Sequence, residues 1–190
     1  MVHKSTRGSI KLTALVRKAE NGELTIDEAR FIASDFSNGN ETYQRIFALG
    51  LSGFTEFIPL LEKYVFDTKH LTTAAEALIF LFIHYRRAEY KDVVLRFMAG
   101  VPWDDEDELK RAATYIAGQF LSKNKDKDLL RSLIRTYETS TEPGTKGAAA
   151  ENLLRSAGIP WREIPPGMAA EEMPLDVVEK LKAELADNHS

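Results

Sequence analysis

There is no cysteine among the 190 residues of this chain, so disulfides, thiolate metal sites and a cysteine nucleophile are excluded together. A cysteine-free chain suits a reducing compartment, and the cytoplasm is the expected location. Long apolar runs are missing too. The most apolar stretch, residues 77–83, is far too short to span a bilayer, and residues 1–9 lack the apolar core of a secretory signal, so neither an anchor nor a targeting segment is expected. Positive charge is outnumbered, with 25 Lys and Arg against 29 Asp and Glu, a formal net charge of -4. Phosphate binding needs a surplus of cations on one face, so nucleic acid is not the expected main ligand, and a basic protein would suit the chain better.

Motifs with chemistry are equally scarce. The histidines His3, His70, His84 and His189 form no i,i+3 or i,i+4 pair, so no metal is expected. Glu41, Glu56, Glu62, Glu76 and Glu89 supply carboxylates but no paired base is evident beside them. With no Gly-rich phosphate loop, no Gly-x-Ser-x-Gly elbow and no nucleotide fingerprint, the expectation is a non-enzyme without a cofactor.

What is present is a repeat. At a constant offset of about 36 residues, Ala77, Ala113 and Ala149 fall in one column and Leu81, Ala117 and Leu153 in the next. A second set aligns Phe57, Val93 and Leu129, then Ile58, Val94 and Leu130, then Leu61, Phe97 and Leu133. Two amphipathic helices of that combined length cannot bury their apolar faces alone, so neighbouring units must stack. The expected fold is all-α, a right-handed α-solenoid of antiparallel helix pairs. It forms a single domain over residues 1–190: N-terminal helices over 1–39, a repeat core over 40–158, and a Pro-rich loop with a capping helix over 159–190.

Local signals place the elements. Residues 10–21 have partial helical spacing and end at Asn21-Gly22; Thr25 and Glu28 then make a capping box for a helix that runs toward Asn38-Gly39. Helix pairs follow at 40–66, at 71–86 with 90–98, and at 106–121 with 127–137, and residues 77–83, apolar on every side, are expected at the centre of the core. Pro143 suits the first turn of a further helix. Its partner is missing, because Pro160, Pro165 and Pro166 forbid a regular helix there, and the amphipathic residues 173–185 are expected either to cap the stack or to pair with something else. The basic start of the chain, with Lys4, Arg7, Lys11, Arg17 and Lys18 ahead of Glu20, reads first as a solvated tail entering a helix and second as an arm reaching for phosphates or an acidic patch.

Two antiparallel helices per unit, small residues at repeated positions and a pitch near 36 residues resemble a HEAT-type repeat over residues 40–158. A regular proline in each first helix and a regular Asp-Arg pair at the turn are absent, which leaves armadillo and tetratricopeptide relatives open. Ala148, Ala149 and Ala150 followed by Leu153, Leu154, Gly158, Trp161 and the proline-rich loop are similar to the close of small bacterial helical-repeat immunity proteins that accompany polymorphic toxins. That resemblance implies an antitoxin acting by stoichiometric protein-protein interaction, in which a basic toxin domain is captured and neutralised without catalysis. A general scaffold of the same fold is the alternative, and a helical-repeat enzyme acting on nucleic acid is a more distant one.

Candidate contact residues follow from charge. Glu56, Asp92 and Asp128 repeat at the same offset, each just ahead of the apolar pair that opens a second helix. Each complements the positive end of its own helix, and in a stack they would also line a groove edge suited to a basic partner. Arg96, Arg131 and Arg135 lie on the same helices within i,i+3 to i,i+7 of those acids and would turn the edge into a mixed-charge ridge. The densest charge run is Asp104, Asp105, Glu106, Asp107 and Glu108, more acids than one helix end requires, preceded by Trp103, which either closes the turn or anchors a partner.

Overall fold

A computed structural model describes residues 5–34, 36, 41–165 and 167–186, with side chains from residue 11 onward. Among these residues every regular element is helical and there is no strand, so the chain is all-α. Its contacts divide it into two compact units, residues 1–90 and 91–190, parted between the halves of the second helix pair anticipated from the repeat.

The first unit contains α1 (Ser5–Glu20), α2 (Ile26–Ser34), α3 (Thr42–Leu51), α4 (Ile58–Tyr64) and α5 (Leu71–Ile79). α3 is its hub, packed against α1, α2 and α5, while α4 packs on α5. Leu12, Leu15 and Ala19, spaced three and four apart, put one face of α1 into a cluster with Ala29, Ile32, Ala48, Leu49 and Phe57. α1 begins at Ser5 rather than near residue 10; the Asn38-Gly39 stop for α2 lies outside the described residues.

The capping box forms as its spacing requires. The Thr25 amide donates to Glu28 Oε2 at 3.0 Å and the Glu28 amide to Thr25 Oγ1 at 3.3 Å, satisfying two orphan donors at the start of α2. Lys18, reaching across from α1, and then the Thr25 amide hold the Glu28 carboxyl down to about 2. Because this pKa is lowered on folding, the unfolded chain binds the extra proton. The contribution is therefore complete above the usual carboxylate pKa, near 4.5, and is lost as pH falls toward about 2. Urea unfolding of wild type and Glu28→Gln across that window should show a stability difference that shrinks as pH falls; a difference independent of pH would remove Glu28 from the account.

A charge sits inside this unit. Arg45 on α3 is buried and donates to the Ile32 carbonyl at 3.1 Å and to Glu41 Oε2 at 2.9 Å, so it ties the end of α2 to α3 with an ionic partner at hand. The apolar run expected at the core is there: Ala77, Leu78, Phe80, Leu81 and Phe82 are all buried. It is not one regular helix to Arg86, however. α5 gives way at Phe80–His84 to a π turn, in which the Tyr85 amide reaches the Phe80 carbonyl at 2.8 Å, and Arg86 adopts a left-handed φ of 54° that stops the helix. The shifted register brings the Tyr85 hydroxyl to the carbonyls of Leu49 and Phe54, at 3.3 and 3.4 Å.

The second unit contains α6 (Lys91–Met98), α7 (Glu108–Leu121), α8 (Lys127–Thr139), α9 (Pro143–Ser156) and α10 (Leu175–Ala186). α7 packs on α6, α8 and α9, and α9 packs on both α7 and α8. Pro143 opens α9 as expected, with the Glu142 carboxylate accepting from the Gly144 and Thr145 amides. Asp126 does the same for α8, accepting from the Asp128 and Leu129 amides at 3.0 Å. The prolines after Gly158 leave short 3-10 turns, Trp161–Glu163 and Ala170–Glu172, and α10 then folds back onto α8 and α9 through buried Val178 and Leu181.

In three of the five columns, residues one pitch apart are equivalently buried. Ala77, Ala113 and Ala149, on α5, α7 and α9, are each 0% exposed, as are Leu81, Ala117 and Leu153. Leu61, Phe97 and Leu133 are equally closed off on α4, α6 and α8, while in the flanking columns Val93 and Leu130 are only half-buried.

Candidate protein-binding surface

The acids that mark helix starts divide into satisfied and free. Glu56, in the 3-10 turn Thr55–Phe57 ahead of α4, belongs to the first unit and receives a two-pronged contact from Arg30, Nε to Oε1 at 3.0 Å and Nη2 to Oε2 at 3.1 Å. Both side chains are exposed, so water screens the contact and it contributes little. Asp128, in the first turn of α8, accepts from Lys91 at 2.8 Å and from Arg131 at 3.2 Å, and Lys91 above all holds its carboxyl below the usual range. Lys91 also meets Asp126 at 2.8 Å, so one ammonium joins the starts of α6 and α8. Asp92, exposed in the first turn of α6, makes no ion pair among the described residues.

The arginines distribute differently from their spacing. Arg131 does pair with Asp128, but Arg96 leaves Asp92 and lies over the Trp103 ring, 5.7 Å from its centroid. Trp103 is half-buried in the turn between α6 and α7. Arg135 is exposed and without an ion pair among the described residues.

The five-acid run is not one surface. Asp104 is only 7% exposed, and its Oδ2 accepts the Lys110 amide at 2.9 Å, which makes it a buried support for the start of α7 rather than part of an open edge. Its Oδ1 has no hydrogen-bond partner among the described residues. Asp107 takes a left-handed φ of 54° at the helix boundary and pairs with Lys110 Nζ at 3.0 Å. Glu108 is half-buried in the first turn, and of the five only Asp105 and Glu106 stand exposed and without an ion pair among the described residues. The unpaired carboxylates among the candidates are therefore Asp92, Asp105 and Glu106, all in the second unit.

One candidate was visible in the sequence but not singled out by its charge pattern. Trp161 is 56% exposed, and the Arg155 guanidinium lies 4.9 Å from its ring centroid. Arg155 also donates to Asn152 Oδ1 at 3.3 Å, so the stack is held from inside α9. Nearby on α7, the Tyr115 hydroxyl donates to buried Glu151 at 3.3 Å, and burial raises its pKa above the ordinary value. A tryptophan lodged among prolines, where no helix can turn it inward, was the available signal.

Among the described residues no group of three or more His, Asp and Glu is arranged to hold a metal ion, and no helix is long and apolar enough to cross a membrane. No family model, no curated protein and no solved structure matches this chain.

Proposed function

We propose that this chain is a protein-binding module whose helix pairs are turns of a right-handed α-solenoid of HEAT-like type, and that it acts in the cytoplasm as an immunity protein, neutralising a basic toxin domain by stoichiometric capture. The observation that carries the reading is the trio of exposed, unpaired carboxylates Asp92, Asp105 and Glu106 in the second unit. Charges left unpaired at a surface are free to steer a cationic partner and to trade water for contact, and a net charge of -4 points the same way. The equivalent burial of Ala77, Ala113 and Ala149 supports the stacking of like units. Trp161, exposed on a stacked arginine, has the residue type that dominates interface energies.

The test compares capture by wild type and by a D92K/D105K/E106K variant from lysate of the source organism. The expected result is one basic protein retained by wild type, released as salt rises and lost from the variant, which arrests growth when expressed alone and not when co-expressed with this chain. Equal capture by both forms, or growth arrest unrelieved by co-expression, would overturn the proposal.

A further inference from the structure

Between the end of α7, the turn to α8 and the last turns of α10 lies a cleft of about 720 Å³, contained in the second unit and of a size that takes peptide side chains. Its apolar lining comes from Leu121, Leu130, Leu181 and Leu185. Its polar rim carries Lys123, Lys125 and Lys127, all exposed and all without an ion pair among the described residues. The rim sets two acids against these three lysines, and one of the two, Asp126, is already held by Lys91 and by the α8 amides. A chain of net negative charge thus gathers a surplus of cations around a leucine-lined hollow.

We infer that this cleft is a second docking site, with a charge preference opposite to that of the proposed toxin-facing surface, and that it takes an acidic amphipathic peptide, its apolar side chains on the leucines and its carboxylates against the lysines. Nucleic acid has the right charge but the wrong floor. Among the described residues no aromatic ring lines the cleft to stack a base, whereas leucines and ammonium groups match an amphipathic helix with acidic flanks.

The probe is a fluorescein-labelled peptide of about twelve residues built from Glu-Glu-Leu-Leu steps. Comparison probes replace every Glu by Lys or every Leu by Ser, and an oligothymidylate of similar length stands for nucleic acid. Anisotropy titrations use the full chain at about 50 and about 150 mM salt. Binding on the order of 10 µM is expected for the acidic peptide alone, weaker at the higher salt. It should weaken at least about tenfold in K123E/K125E/K127E and about threefold or more in Leu185→Asn. Hydrogen exchange on the wild-type chain, which needs no variant to fold, should show the peptide protecting residues 121–130 and α10. Absence of binding at about 1 mM peptide, affinity unchanged by the lysine reversal, protection elsewhere, or equal or tighter binding of the oligothymidylate would each overturn the inference. None of these readouts depends on the toxin-facing carboxylates, so this site and the proposed function fail separately.

Discussion

Phe97→Ala is expected to lower the stability of the chain by about 3–5 kcal/mol, read as a drop in the urea midpoint at unchanged slope. The ring is 1% exposed on α6, a helix of only eight residues, and that helix has Val94 and Met98 as its other buried anchors toward α7 and α8. Removing it deletes most of what a short helix contributes and leaves a cavity that closely packed neighbours fill only in part. The same column supplies the internal comparison. Leu61→Ala and Leu133→Ala, at equally closed positions of α4 and α8, should each cost about 2–5 kcal/mol, whereas Val93→Ala and Leu130→Ala, half-buried beside them, should cost clearly less. Equal costs at the closed and the half-buried positions would mean that burial does not set the cost of truncation along these helices.

Gly118→Ala is expected to destabilise by about 2 kcal/mol, against the usual gain of about 0.5–1 kcal/mol for alanine in the middle of a helix. Two effects compete, and geometry decides between them. Gly118 is where α7 meets α9, and a methyl group there would overlap the Asn152 side chain at Oδ1, Cγ and Cβ. Asn152 cannot move aside cheaply: it is fully buried, its Nδ2 donates to the Ala148 carbonyl at 2.8 Å, and its Oδ1 accepts from Arg155. Overlap therefore outweighs propensity. Removing the opposing side chain, its Cβ included, should relieve the overlap, so that in a double-mutant cycle Gly118→Ala costs less on an Asn152→Gly background than on wild type. A Gly118→Ala protein more stable than wild type would rule out the close approach of α7 and α9.

These two sites also show how much could be read before the structure. Position in the repeat predicted the burial of Phe97, because its spacing matches Leu61 and Leu133; nothing predicted the role of Gly118, since a glycine inside a helix looks the same whether it weakens the helix or admits a neighbour. Local chemistry was legible wherever both partners lie within a few residues, as with Thr25 and Glu28 or with Pro143 at the start of α9. The candidate surface was less so. Asp104 to Glu108 look interchangeable in a row of acids, and only the course of the chain around Lys110 turns Asp104 inward and leaves Asp105 and Glu106 outside. Arg96 had an acid four residues away and an aromatic seven away, and the turn at Val101 brought the ring closer. Arg45 reads as an ordinary surface residue of an amphipathic helix until the Ile32 carbonyl, thirteen residues earlier, is seen to need a donor.

The wide turn at Phe80–His84 has a consequence for how the interior breathes. Phe80, Leu81 and Phe82 are shielded from water, yet the amide ladder there spans five residues per step instead of four and is the looser for it. Deuterons should therefore reach the amides just past Phe80 sooner than those of α5, giving a segment with three closed-off side chains a soft backbone where such shelter would suggest rigidity.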